Sequence, residues 1–186
     1  MATYDHDLLQ VAQHLARRRA GQRGKLPSAR IRRSISTAYY ALFHFVLDEA
    51  ARTLIGTHND LRRRRRVVAR TFGHGGMRIA LEKVRSPVVD GSVADLLRSR
   101  GTAAGSVASP DFARNLASAF FDAQSKLYDA DYDLNKEFSE ADAHVLISRL
   151  QRVIADWRMA STTADIDFKH SLCMLMLLKG QLRRET

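Results

Sequence analysis

Residues Pro27–Ile55 read PSARIRRSISTAYYALFHFVLDEAARTLI, and this stretch decides the fold. Ile31, Ile35, Ala38, Leu42, Phe45 and Leu54 recur at the spacing of one helix face. Pro27 suits a first helical turn, where its missing N–H has no partner to lose, and Gly56 supplies a stop. One long helix is therefore predicted over 27–55. Tyr39 and Tyr40 point about 100° apart on it, so one is expected in the core and the other on a groove. Ser36, Tyr40 and His44 follow one another at steps of four. They share a face and make a polar stripe on the helix.

The flanking sequence continues in the same periodicity. A first helix is expected over Asp5 to Ala20, with Leu8, Leu9, Val11, Ala12 and Leu15 as its apolar stripe and Arg17, Arg18 and Arg19 at the end that favours cations. Gly21 to Lys25 is a basic, flexible exit. A third helix is expected over Asn59 to Phe72, capped by Asn59 and carrying the run Arg62 to Arg66. Gly73-His74-Gly75-Gly76 reads as a glycine-rich turn. Met77 to Arg85 reads as another helical segment. Ser86 to Ser109 reads as an irregular loop around a short helix at Ala94 to Arg98.

Ser109-Pro110-Asp111 is a helix start, with cap, proline and acid in order. That helix is expected to run to about Leu127, followed by a polar, acidic stretch Asp129 to Asp133. Ser139-Glu140-Ala141-Asp142 opens the next helix, whose stripe is Val145, Leu146, Leu150, Val153, Ile154 and Trp157. A last helix over Ala164 to Leu182 is apolar around much of its circumference. It is expected to pack deep or to support a subunit interface. Three prolines and ten glycines are too few to punctuate a strand-and-turn architecture. The predicted class is all-α.

Charge gives the first indication of function. Thirty Lys and Arg stand against twenty Asp and Glu, a formal net charge of +10, and most of the cations are arginine. Guanidinium groups fork onto phosphate and stack on bases, so nucleic acid is the expected partner class. The single cysteine, Cys173, lies in an apolar run and reads as a small buried hydrophobe rather than a nucleophile. His6 and His14 are too far apart on a helix to share a metal, and there is no cysteine pair. Gly73 to Gly76 is too short for a phosphate loop, and no dinucleotide fingerprint occurs. Neither a metal nor another cofactor is expected. The N-terminus opens on Asp5 and Asp7 without a basic leader pattern, and Leu172 to Leu178 is too short to cross a bilayer. A cytoplasmic protein with no membrane attachment is expected.

Three segments together resemble the HEPN family, in its branch of small prokaryotic proteins. Ser36, Ala38, Tyr39, Tyr40, Ala41, Phe43 and His44 match the branch's Ser-x-Ala-Tyr-Tyr-Ala-x-Phe-His pattern. Ala130-Asp131-Tyr132-Asp133 is similar to its Ala-Asp-Tyr-Asp stretch, and His74-Gly75-Gly76 to its short His-Ser-Gly turn. The resemblance spans about Leu8 to Met159. It implies an up-down four-helix-bundle core over residues 1–160, with additional short helices. Residues 161–186 would form a helical extension packed on the bundle or at an interface. It also implies a homodimer that binds RNA or nucleotide, in a toxin–antitoxin or phage-defence setting, beside a small nucleotidyltransferase-like antitoxin.

Active members of the family are metal-independent endoribonucleases with Arg, four to six residues, then His. Here that spacing occurs only from Arg52 to His58, at a helix end. Arg70 and His74 are separated by three residues and lie at the family-like turn, which makes them the candidate catalytic pair. His74 would shuttle a proton, Arg70 would stabilise charge on the phosphate, and Gly75 and Gly76 would let backbone approach the ligand. A helix–loop cap is the alternative role for His74. The candidate RNA- or nucleotide-binding residues are Arg33, Ser36, Tyr40, His44, Arg62, Arg66, Asp131 and Tyr132. A solvated face is the alternative for the arginine run, and a structural role for Asp131 and Tyr132. A rival reading makes the chain a non-catalytic module that docks on a partner through its last helix. No helix-turn-helix pattern supports a third, DNA-binding reading.

Overall fold

The long helix forms as its spacing predicts, over Ser28–Ile55 (α2), in a computed structural model that describes residues 4–18, 24–98 and 105–179. The described regular elements are helical: α1 (Tyr4–Ala16), α2, α3 (Arg62–Ala69), α4 (His74–Glu82), α5 (Ala94–Leu97), α6 (Asp111–Tyr132), α7 (Glu140–Met159) and α8 (Thr163–Leu177), with 3-10 turns at Asn59–Leu61 and Gly91–Val93. The one β-type pairing among the described residues is an isolated bridge between Val88 and Ala108, inside the irregular loop. The protein is all-α. No helix of the described residues is long and apolar enough to cross a membrane. Arg19, the Gly21–Arg23 exit, Gly101 and the expected end of the last helix at Leu182 lie outside the described residues.

Four local expectations are corrected. Asn59 does not cap the third helix. Leu61 occupies that place with no side-chain cap bond, and Asn59 begins a 3-10 turn instead. The helix expected over 59–72 is shorter and in two pieces. Gly73–Gly76 is not a turn. Gly73 is the extended N-cap of α4, and His74, Gly75 and Gly76 are its first residues. Glycine there costs backbone entropy. The buried stripe of Met77, Ala80 and Leu81 supplies the driving force. The acidic stretch Asp129–Tyr132 is the last turn of α6, not a linker after it.

Two compact units divide the chain, Met1–Phe45 with Ala119–Ala155 and Val46–Ser118 with Asp156–Thr186. The first unit holds α1, α2 up to Phe45, α6 from Ala119 and α7 up to Ala155. Ala12, Ala16, Ala38, Ala41, Ala119, Ala123 and Ala143 are fully buried there. Small residues at these positions let helix backbones approach, while Ile35, Leu42, Phe120, Leu146 and Leu150 fill the space between. The buried Ser34 hydroxyl donates to the Ala12 carbonyl at 2.7 Å and ties α2 to α1. At the surface, Arg18 forks onto the Glu140 carboxylate at 3.0 and 3.1 Å. That fork holds the Glu140 pKa below its usual range.

In the second unit α8 packs on α4 and α5, and Phe168, Leu172, Cys173, Leu175 and Met176 are its buried residues. Trp157 stands edge-on to Phe112 at 5.4 Å, and Phe112 edge-on to Phe168 at 6.2 Å. The Lys169 ammonium donates to the carbonyls of Trp157 and Ala160 and lies over the Trp157 and Phe112 rings. It thereby closes the C-terminus of α7, where a cation is favoured. Burial lowers its pKa. Thr162 and Asp165 form a capping box at the start of α8. Cys173 is buried, and desolvation pushes its thiol up to about 12, so it serves as packing rather than as a nucleophile.

Candidate nucleic-acid interface

The family-like segments on α2 and α6 meet in the first unit. Ser36 Oγ donates to Asp131 Oδ1 at 2.5 Å across a sequence separation of 95 residues. Ser36 is fully buried. Its place is between helices, not on the ligand-facing stripe that its spacing from Tyr40 and His44 suggests. Four residues earlier, Arg32 donates to the carbonyls of Asp129, Ala130, Asp133, Leu134 and Lys136. This guanidinium binds the Asp129 and Ala130 carbonyls in the last turn of α6 and three carbonyls of the chain just beyond it, which ties down the acidic turn. Arg32 also lies 5.7 Å from the Phe138 ring centroid. Its neighbour Arg33, the candidate ligand residue, is exposed.

Tyr39 and Tyr40 divide as expected. Tyr39 is fully buried against Phe120 and within 3.3 Å of Gln124, while Tyr40 is 39% exposed. His44 is half-buried. Its ring stands edge-on to Tyr4 at 4.8 Å and to Phe43 at 5.5 Å, and burial lowers its pKa. A neutral, aromatic-packed imidazole is a poor phosphate ligand at neutral pH. Tyr132 is 76% exposed on the last turn of α6, beside Tyr128 at a ring separation of 6.2 Å. Sequence reasoning does not single out Tyr128. Its place on an extended α6 is the only signal, and a helix ending near Leu127 hides it. A surface cavity of about 740 Å³ opens beside the Arg32 clamp, lined in part by Lys25, Leu26, Arg32, Phe138 and Glu140. None of the predicted site residues lines it.

The second unit holds the arginine helix and the candidate catalytic pair. Arg62, Arg63, Arg64 and Arg66 are exposed. Arg65 is not available for ligand, since it donates to the carbonyls of Gly56 at 2.7 Å and His58 at 2.8 Å. Arg70 is exposed at the C-cap of α3 in helical conformation, and His74 is the half-buried first residue of α4. Thr71, Phe72 and Gly73 link them, so their Cα atoms lie within about 14 Å. Gly76 has a reason other than a ligand. A Cβ there would meet Lys179 Cγ at 3.2 Å, so its bareness serves the approach of α4 to the end of α8. Gly75 faces open space.

Comparison of the chain with protein-family models, with curated proteins and with solved structures found no match in any of the three. The chemical capacity is therefore read from the residues alone. An exposed guanidinium helix can grip phosphates, and His74 follows it in the chain at the start of α4.

Proposed function

We propose that the chain is a HEPN-type protein that binds RNA along its arginine helix and cuts it without a metal ion, using Arg70 and His74. The observation that carries the reading is the exposure of Arg62, Arg63 and Arg66 on one short helix, with Arg70 exposed at its C-cap. The Ser36–Asp131 hydrogen bond adds support, because it joins two of the three segments on which the family resemblance rests. In this chemistry His74 accepts the proton of a ribose 2′-hydroxyl as that oxygen attacks the adjacent phosphorus. The protonated His74 gives that proton to the leaving 5′-oxygen, and a 2′,3′-cyclic phosphate remains. Arg70 balances the added charge on the phosphate. The same resemblance puts the protein, as a homodimer, in a toxin–antitoxin or phage-defence pair with a small nucleotidyltransferase-like partner. Expression in a bacterial host tests the reading. Growth arrest that His74→Ala relieves, at equal protein level, supports it. Arrest that persists in the variant removes His74 from the mechanism.

One observation favours a second reading, a docking module. Ile166, Met174, Leu177 and Leu178 are exposed along α8 while its other face is buried. Ile166→Glu with Met174→Glu leaves the packed face intact. Loss of a co-purifying partner in that variant, with growth arrest unchanged, would assign α8 to docking.

A further inference from the structure

The five consecutive arginines of α3 do not act as one basic run. Helical phase and local bonding divide them. At 100° per residue, Arg62, Arg66, Arg70 and Arg63 fall within an arc of about 100°, and Arg64 lies about 100° beyond its edge. Arg65 turns to the protein side, where the Gly56 and His58 carbonyls hold it, beside the half-buried Leu61 and Val68. Arg70 keeps the helical phase, since its φ and ψ are −72° and −14°. All four members of the arc are exposed, and none forms an ion pair with another described residue. From Arg62 to Arg70 the arc rises about 12 Å. Within it, Arg62, Arg66 and Arg70 stand one turn apart.

We infer that this arc grips one polynucleotide strand through a few successive phosphates and delivers it, past Arg70, to His74. The inference rests on the RNA reading above and names the form of the ligand: a single strand held by its backbone, with no base readout. A single helix face offers one line of cations rather than the two rails that a duplex presents. Guanidinium groups a turn apart can each fork onto a different phosphate of that line. Arg64 and Arg65 have no part in it, although the sequence presents them identically to their neighbours.

The test compares two charge-matched double variants by fluorescence anisotropy with a labelled oligouridylate of about twelve nucleotides, across a salt series. The first is Arg62→Gln with Arg66→Gln, inside the arc. The second is Arg64→Gln with Arg152→Gln, two exposed arginines outside it. The arc variant is expected to bind roughly tenfold more weakly at about 0.1 M salt. Its log–log salt slope should shrink by about 1.4, because each single-strand phosphate that is no longer neutralised removes about 0.7. The outside variant should match the wild type. Equal weakening of both variants, or of neither, overturns the strand-gripping arc while RNA binding itself stands. Absence of wild-type binding at low salt overturns the RNA reading beneath it.

Discussion

Ser36 donates its hydroxyl hydrogen to the Asp131 carboxylate at 2.5 Å, although 95 residues separate them in sequence. The hydroxyl is fully buried and the carboxylate is at the surface. Removing Asp131 leaves Ser36 Oγ with the Arg32 carbonyl at 3.2 Å as its acceptor, which limits the loss. A double-mutant cycle with Ser36→Ala and Asp131→Ala should give a coupling of about 1 kcal/mol by urea denaturation. A coupling near zero would mean the hydrogen bond does not hold α2 to α6.

Arg32 should be the more costly neighbour. Its planar fork serves five carbonyls, two in the last turn of α6 and three just after it, a task that an ammonium cannot reproduce. Arg32→Lys is expected to lower stability by about 2 kcal/mol, whereas Arg33→Lys on the exposed side should change it by less than about 0.5 kcal/mol. Equal effects would show that the clamp does not form in solution.

The two adjacent tyrosines should separate in the same way. Tyr39→Ala opens a cavity among Phe43, Phe120 and Gln124, at a cost of about 3 to 5 kcal/mol. Tyr40→Ala, at a half-open site, should cost about 1 kcal/mol or less. Thermal melts of the two variants decide the matter. A reversed order would put the wrong tyrosine in the core.

Burial lowers the His44 pKa below its ordinary 6.5. Between the lowered folded value and 6.5 the unfolded chain binds the proton more readily. Stability is therefore highest above about pH 6.5 and declines as the pH falls through that window. His44→Gln should flatten the decline in melting temperature between about pH 7 and pH 5. An unchanged slope would show that His44 is not the group responsible.

Cys173 is 1% exposed and its thiol is pushed up to about 12. A thiol reagent such as DTNB should not label the native protein at about pH 8 and should label it once on unfolding. Rapid native labelling would contradict the packing of α8 on α4 and α5.

Much of the helical frame is legible in the sequence because its signals are local. Pro27, Gly56, Ser109-Pro110-Asp111 and the stripe from Val145 to Trp157 each announce an element within a few turns of chain. Phase alone separates Tyr39 from Tyr40, while the structure decides that Tyr39 is the buried one. Other features depend on partners remote in sequence. Asp129–Tyr132 stays helical because Arg32, about a hundred residues earlier, binds its carbonyls. His74-Gly75-Gly76 is helical because Met77 and Leu81 have a buried place to go, and glycine content argues the other way. The split of the arginine run also needs structure. Helical phase separates Arg64 from Arg66, but only the hydrogen bonds to Gly56 and His58 reveal that Arg65 is engaged.

The central claim is that this protein acts on RNA through α3 and the start of α4. Its most direct test is incubation of labelled single-stranded RNA and tRNA, with EDTA present, with wild type and with His74→Ala. Cleavage by wild type that the substitution abolishes, with RNA binding retained by the variant, is the predicted result. No cleavage by pure wild type, or cleavage undiminished in the variant, would contradict the assignment of His74. Failure of wild type to bind either RNA would contradict the account as a whole.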